Sequence, residues 1–196
     1  SKLRKTEYRE DLRALVAKYN GMGYRDARII RDTNYRVDDE LINIEISVEE
    51  GRKYYFGDIS FVGNTKYDTP LLRSILKINR GDIYDSQHLN ERVSFDANGN
   101  DVASIYLNNG YLFSQVVPIE KNVQNDTIDV EIRIQEGRQA TIRKVSITGN
   151  ERTNDHVIYR EVRTRPGDLF SKAMIQRTIR ELSQLGYFDQ TQIGVN

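Results

Sequence analysis

The 196-residue sequence predicts an α+β protein of tandem β-α-α-β-β units, each a three-stranded sheet packed on two helices, with the first and last units incomplete. Three observations predict it. Landmarks recur without a gap at an offset of 86 residues: Glu50-Gly51 as Glu136-Gly137, Gly63-Asn64 as Gly149-Asn150, and Gly81-Asp82-Ile83-Tyr84 as Gly167-Asp168-Leu169-Phe170. Ile128, Val130, Ile132 and Ile134 alternate with Asp129, Glu131, Arg133 and Gln135, the period-two pattern of a strand with one buried face. Apolar residues elsewhere fall at helical spacing in stretches closed by glycine turns. A unit of this length exceeds a solenoid repeat of roughly 20 to 50 residues and can enclose a small core.

The middle segment, residues 52–137, is complete and sets the order. Tyr55 to Val62 reads as a strand ending in Gly63-Asn64, a dipeptide suited to left-handed backbone. Residues 69–76 read as a helix, with Thr69 or Asp68 as N-cap, Pro70 at the first helical position and a stripe of Leu71, Leu72, Ile75 and Leu76. A second helix begins after Asp85 or Ser86, carries Leu89 and Val93, is interrupted at Asp96 to Asp101, resumes with Val102, Ile105, Tyr106 and Leu107, and ends at Gly110. Phe113 to Lys121 is strand-like, and Pro118, which has no amide to donate, assigns it to a sheet edge. The alternating strand at Ile128 to Ile134 closes the unit.

The first segment, residues 1–51, reads as the C-terminal part of such a unit. It has a helix from Tyr8 to Asn20, a strand from Ala27 to Tyr35, and a strand in which Ile42, Ile44, Ile46 and Val48 precede their counterparts by the same offset. The last segment, residues 138–196, lacks a closing strand. It offers a strand at Ala140 to Thr148, a helix capped near Asn154, and a helix from Ser171 ending at Gly186-Tyr187-Phe188, so its sheet is expected to be incomplete. The joints, Glu50-Gly51-Arg52 and Glu136-Gly137-Arg138, are short and predict limited motion.

Composition narrows the chemistry. Cysteine is absent, which excludes thiolate catalysis, disulfides and cysteine zinc sites. No apolar run reaches the ~18 residues of a membrane-spanning helix, and no signal-peptide core follows the N-terminus. Lys and Arg against Asp and Glu number 10 and 11, 9 and 12, and 10 and 6 in the three segments, so the last is basic at +4. The two histidines, His88 and His156, stand at helix starts away from any second ligand at metal spacing. Gly21-Met22-Gly23 follows a helix, whereas a phosphate-binding glycine loop precedes one. Asp96-Ala97-Asn98-Gly99-Asn100-Asp101 superficially suggests a calcium loop, but Asp101 stands where glycine is needed and Leu107 where the bidentate Glu belongs. It reads as a helix-interrupting insertion. Outward acidic residues such as Asp129 and Glu131 speak against nucleic acid. No cofactor, metal site or enzymatic activity is expected. What remains is recognition by backbone: an edge strand at Ser114, Gln115, Val116, Val117, Ile119 and Glu120 that pairs with an extended peptide.

Taken together, the strand before Gly63-Asn64, the two helices around Gly81-Asp82-Ile83-Tyr84, the Asn109-Gly110-Tyr111 turn and the terminal Glu136-Gly137 resemble a POTRA domain, the polypeptide-transport-associated repeat. Gly149-Asn150, Arg160-Glu161-Val162-Arg163, Pro166-Gly167-Asp168-Leu169-Phe170 and Leu185-Gly186-Tyr187-Phe188 extend the resemblance to the last segment. Among POTRA proteins it implies the arm of an outer-membrane β-barrel assembly factor, with the three segments its third, fourth and fifth repeats. Such an arm lies in the periplasm, attached to the outer membrane through a C-terminal β-barrel outside this sequence. It receives unfolded outer-membrane proteins and docks a BamD-like lipoprotein and other assembly lipoproteins. The resemblance places Pro166 where the family can carry a carboxylate toward that lipoprotein, and leaves Arg160, Glu161, Arg163 and Arg165 as the nearby partner-binding charges. The POTRA arm of a related translocation or two-partner secretion pore is the alternative.

Overall fold

The computed structural model describes residues 5–38, 41–150 and 154–186. Its elements run α1 (Lys5–Gly21), β1 (Arg28–Arg36), β2 (Ile42–Glu49), β3 (Tyr55–Val62), α2 (Thr69–Leu76), α3 (Ser86–Asn90), α4 (Val102–Leu107), β4 (Gln115–Gln124), β5 (Thr127–Gln135), α5 (Asp155–Glu161) and α6 (Lys172–Gln184). β1 and β2 form an antiparallel hairpin, and the middle segment forms a three-stranded sheet in the order β3-β5-β4. Tyr55 N–H reaches the Asp126 carbonyl and Asp58 N–H the Asp129 carboxylate, so β3 and β5 run in the same direction. Lys121 pairs with Glu131 and Asn122 faces Asp129, so β4 and β5 run antiparallel across the Asn125-Asp126 turn. The sheet is mixed, as β-α-α-β-β connectivity requires when the last strand enters between the other two.

Packing divides the chain into two compact units that do not follow the sequence segments. One comprises Ser1–Val62, Leu76–Arg92 and Pro118–Ile132; the other comprises Gly63–Ile75, Val93–Val117 and Arg133–Asn196.

In the first unit Tyr54, Phe56, Ile59, Tyr84, Ile128, Val130 and Ile132 are buried, and the Phe56 and Tyr84 rings meet at 4.8 Å. The Gly81-Asp82 loop is laced to the start of β3 by three backbone bonds, Gly81 N to Phe56 O at 2.8 Å, Phe56 N to Asp82 O at 2.8 Å and Tyr84 N to Tyr54 O at 3.0 Å. Asp85 caps α3 by accepting from the amides of Gln87 and His88. A Cβ on Gly57 would lie 2.0 Å from Asp129 Oδ1 and 2.8 Å from Thr127 Cγ2, so any larger residue would have to displace these side chains. In the β1–β2 hairpin the expected equivalence with β5 holds in sequence only. Ile42, Ile44 and Ile46 are exposed where Ile128, Val130 and Ile132 are buried, because β1 and β2 form a two-stranded hairpin whereas β5 is the central strand of three.

In the second unit Leu72, Val93, Val102, Tyr106, Tyr111, Val116 and Ile134 are buried, and Tyr106 meets Tyr67 and Tyr111 edge to face. Asp68 caps α2 through Leu71 N at 3.1 Å. The second helix continues from α3 through a π-helical turn, Glu91–Phe95, before it breaks. That widened turn was not foreseen; it lets the helix absorb the insertion. Within the insertion Asp96 Oδ1 accepts from the amides of Asn98 and Asn100, and Asp101, buried, caps α4 through Ser104 N at 2.7 Å and its hydroxyl at 2.8 Å.

Glu136 closes this unit by accepting from Lys66 N at 2.8 Å, Tyr106 Oη at 3.3 Å and the Thr65 hydroxyl. Burial alone would raise its pKa, but these hydrogen bonds outweigh it and hold the carboxyl below its ordinary range.

Residues 140–148 correct the expected strand. They make only an isolated bridge, Thr141 with Leu169. Among the described residues no strand lies beside this stretch to form a ladder with it. The loop lacing nevertheless repeats: Gly167 N to Ile142 O at 2.8 Å, Ile142 N to Asp168 O at 2.8 Å and Phe170 N to Ala140 O at 2.9 Å, each at the 86-residue offset. The glycine-aspartate landmark is therefore a docking loop for the stretch ahead of it, whether or not that stretch is a strand. Tyr187 and Phe188 lie outside the described residues.

Candidate functional site

β4 is an outer strand of its sheet, with β5 on one side and, among the described residues, no strand on the other. Period-two geometry puts Val116, Pro118 and Glu120 on one face and Gln115, Val117 and Ile119 on the other. Gln115 and Val117 are exposed, Ile119 is half-buried and Val116 is buried. Ser114 precedes the strand, and its hydroxyl is buried without a hydrogen-bond partner among the described residues. The Val116 carbonyl accepts from the Ser94 hydroxyl at 3.0 Å, and Pro118 has no amide. The exposed Gln115 and Val117 are preceded in sequence by Phe113, which is 71% exposed.

Glu120 behaves differently from its neighbours. Its carboxylate accepts from Arg25 Nε at 3.2 Å, pairs with a second guanidinium nitrogen of Arg25, and accepts from Tyr84 Oη at 2.5 Å. Burial, and then the Glu120 hydrogen bond, push the Tyr84 phenol well above its ordinary range. Arg25 also pairs with Asp26 at 3.4 Å and lies 5.9 Å over the Tyr54 ring, whose hydroxyl donates to Asp26 at 2.8 Å. The glycine turns suggest core roles for the adjacent tyrosines, and burial of Tyr84 and Tyr111 agrees with that reading. The polar task of Tyr84 and the whole of the Arg25–Asp26 pair went unread. The available signal was the contrast between Gly23-Tyr24-Arg25-Asp26 and Gly110-Tyr111-Leu112-Phe113.

The outer face of β5 is not the open acidic surface that its alternation suggests. Glu131 is buried and paired with Lys121 at 2.7 Å, and Asp129 accepts from Asp58 N at 2.7 Å. A cross-strand lysine neutralises Glu131, and a backbone amide of the neighbouring strand engages Asp129.

In the last segment the predicted partner-binding charges are largely paired with one another. Arg160 meets Glu161 at 3.0 Å, and Glu181 on α6 accepts from Arg163 at 2.6 Å and Arg177 at 2.9 Å. Those two guanidinium groups lower the Glu181 pKa, and the Arg163 amide donates to the buried Thr178 at 3.0 Å. Arg163 thus fastens the chain after α5 to α6, whereas the Arg165 guanidinium has no partner among the described residues. No group of three or more potential metal ligands occurs among the described residues, and none of their helices is long and apolar enough to cross a membrane.

The POTRA family model, described as "Surface antigen variable number repeat", matches residues 54–137 and 140–195. The chain belongs to the POTRA family. Its POTRA sequence is 29% identical over 184 residues to a putative outer membrane protein assembly factor of Treponema pallidum, covering 91% of this chain and 21% of that protein. It is 28% identical over 191 residues to the outer membrane protein assembly factor BamA of Neisseria meningitidis serogroup B, covering 95% and 23%. The chain thus spans under a quarter of the length of these two relatives. Among solved structures, the POTRA3-5 fragment of BamA from Haemophilus influenzae superposes with a TM-score of 0.75 at 21% identity, covering 96% of this chain and 73% of that one. That likeness is one of fold.

Proposed function

We propose that this chain is part of the periplasmic arm of an outer-membrane protein assembly factor. In this reading residues 1–51, 52–137 and 138–196 are three consecutive POTRA repeats, the third to fifth of an arm attached to the outer membrane through a C-terminal β-barrel. The arm holds unfolded outer-membrane proteins by pairing with β4, and docks a BamD-like lipoprotein on the basic last segment. Membership of the family and the names of its assembly-factor relatives support the setting.

The observation that carries the client site is the outer position of β4, on which Gln115 and Val117 are exposed while Pro118 interrupts the amide row. An extended peptide gains backbone hydrogen bonds there with little demand on its sequence, as unfolded barrel strands require. Amide resonances of Gln115 to Val117 should broaden on addition of peptides copied from barrel strands, more than those of Tyr55 to Val62 on the opposite edge. Equal or absent broadening at high peptide excess would remove β4 as the client site. For the lipoprotein, Arg165→Glu should weaken capture of a BamD-like protein while leaving thermal unfolding unchanged. Undiminished capture would count against docking at this surface.

A further inference from the structure

Arg25 stands two residues after Gly23 and belongs to the first segment, whereas Glu120 lies 95 residues later on β4. Their pairing is bidentate, the directional form of an arginine–carboxylate contact. Side-chain exposures of 34% and 31% place it between a surface pair and a buried one, so it is stronger than the former yet still screened by salt. Tyr84 holds the carboxylate from a second side, and Asp26 with Tyr54 holds the guanidinium. Both charged groups of the pair are therefore engaged by further side chains.

After the next glycine-tyrosine turn, Leu112 and Phe113 occupy the positions of Arg25 and Asp26, and no such charge pair forms. There the contacts to the last segment are hydrogen bonds: Asn108 Oδ1 accepts from Ala173 N at 2.8 Å, the Asn109 carbonyl accepts from Gln139 at 3.0 Å, and Lys172 reaches the Ser104 hydroxyl at 3.4 Å.

We infer that Arg25 and Glu120 form an ionic latch between the first and middle segments, making the posture of that joint, and not of the next, responsive to ionic strength. The latch does not depend on what pairs with β4. While closed, it withholds the Glu120 side chain from anything that does.

The sequence has no cysteine, so paired spin labels can be introduced cleanly on exposed positions. Labels at Ser47 and Asn90 report on the first joint, and labels at Lys66 and Gln176 on the second. Pulsed dipolar distances are measured in the parent chain, in Glu120→Gln and in Arg25→Met, and in the parent at about 1 M salt, where the screening length falls to about 3 Å. Each change should broaden the first-joint distribution by about twofold and leave the second as it was. A first-joint distribution that stays narrow throughout overturns the latch, and so does equal broadening at both joints. The salt arm involves no substitution beyond the labels, so a variant that fails to fold leaves the answer intact.

Discussion

Where α1 gives way to the middle segment, the Tyr54 amide reaches the Gly23 carbonyl at 2.8 Å; where α4 gives way to the last segment, the Ala140 amide reaches the Gly110 carbonyl at 2.7 Å. Both glycines are left-handed, with φ of 97° and 89°. Around this shared bond the side chains diverge, since the first joint adds a charge cluster and the second adds neutral and singly charged hydrogen bonds. Docking geometry is thus set by backbone, which any sequence with the right turn can supply. Sensitivity to salt is set by the side chains laid over it, which can differ from one joint to the next.

Three experiments would break or sharpen that comparison. The largest effect should come from the turn glycines. A Cβ on Gly23 would meet Ile83 Cγ2 at 2.9 Å and the Tyr54 carbonyl at 3.1 Å, and one on Gly110 would meet Leu169 Cδ2 at 3.2 Å and the Ala140 carbonyl at 3.4 Å. Both substitutions also force a side chain into left-handed backbone. Gly23→Ala should cost about 3 kcal/mol and Gly110→Ala about 2 kcal/mol in denaturant unfolding. The reverse ranking would show that the first joint is not the tighter one.

Next in size is Glu136→Gln, which weakens the closure of the second unit by about 1–2 kcal/mol at neutral pH. Because the folded carboxyl has its pKa lowered, its stabilisation is fully present above the ordinary carboxylate range and is lost as pH falls through the folded value. The variant should therefore lose less stability on acidification than the parent. Parallel acid profiles would show that Glu136 does not couple protonation to folding.

The smallest effect is expected at Asn108. Asn108→Ala removes the acceptor for the Ala173 amide and should cost about 0.5–1 kcal/mol, by an amount that salt does not change. A clear salt dependence in that loss would erase the contrast between the joints.

Much of this molecule was legible because its signals are local. The 128–134 alternation, the Pro70 start of α2 and the edge placement implied by Pro118 each follow from a few neighbouring residues. The candidate edge was legible for the same reason. Fates of individual charges were not, because Glu120 looks like an outward strand residue until Arg25, 95 residues away, is brought to it. Glu131 and Asp129 likewise look solvated until Lys121 and the Asp58 amide meet them. The stretch at 140–148 was misread in the other direction: its pattern is that of a strand, but a strand exists only when a neighbour accepts and donates its hydrogen bonds.

By itself the sequence determined the order of strands and helices in the middle segment and the turns that punctuate the chain. Those depend on periodicity, caps and left-handed glycines, which act within a few residues. Only the tertiary structure decided which charges are spent within the molecule and which remain outward, and how two joints with the same backbone bond come to differ. Pairing of charges distant in sequence is a matter of which surfaces meet, and no local pattern encodes that.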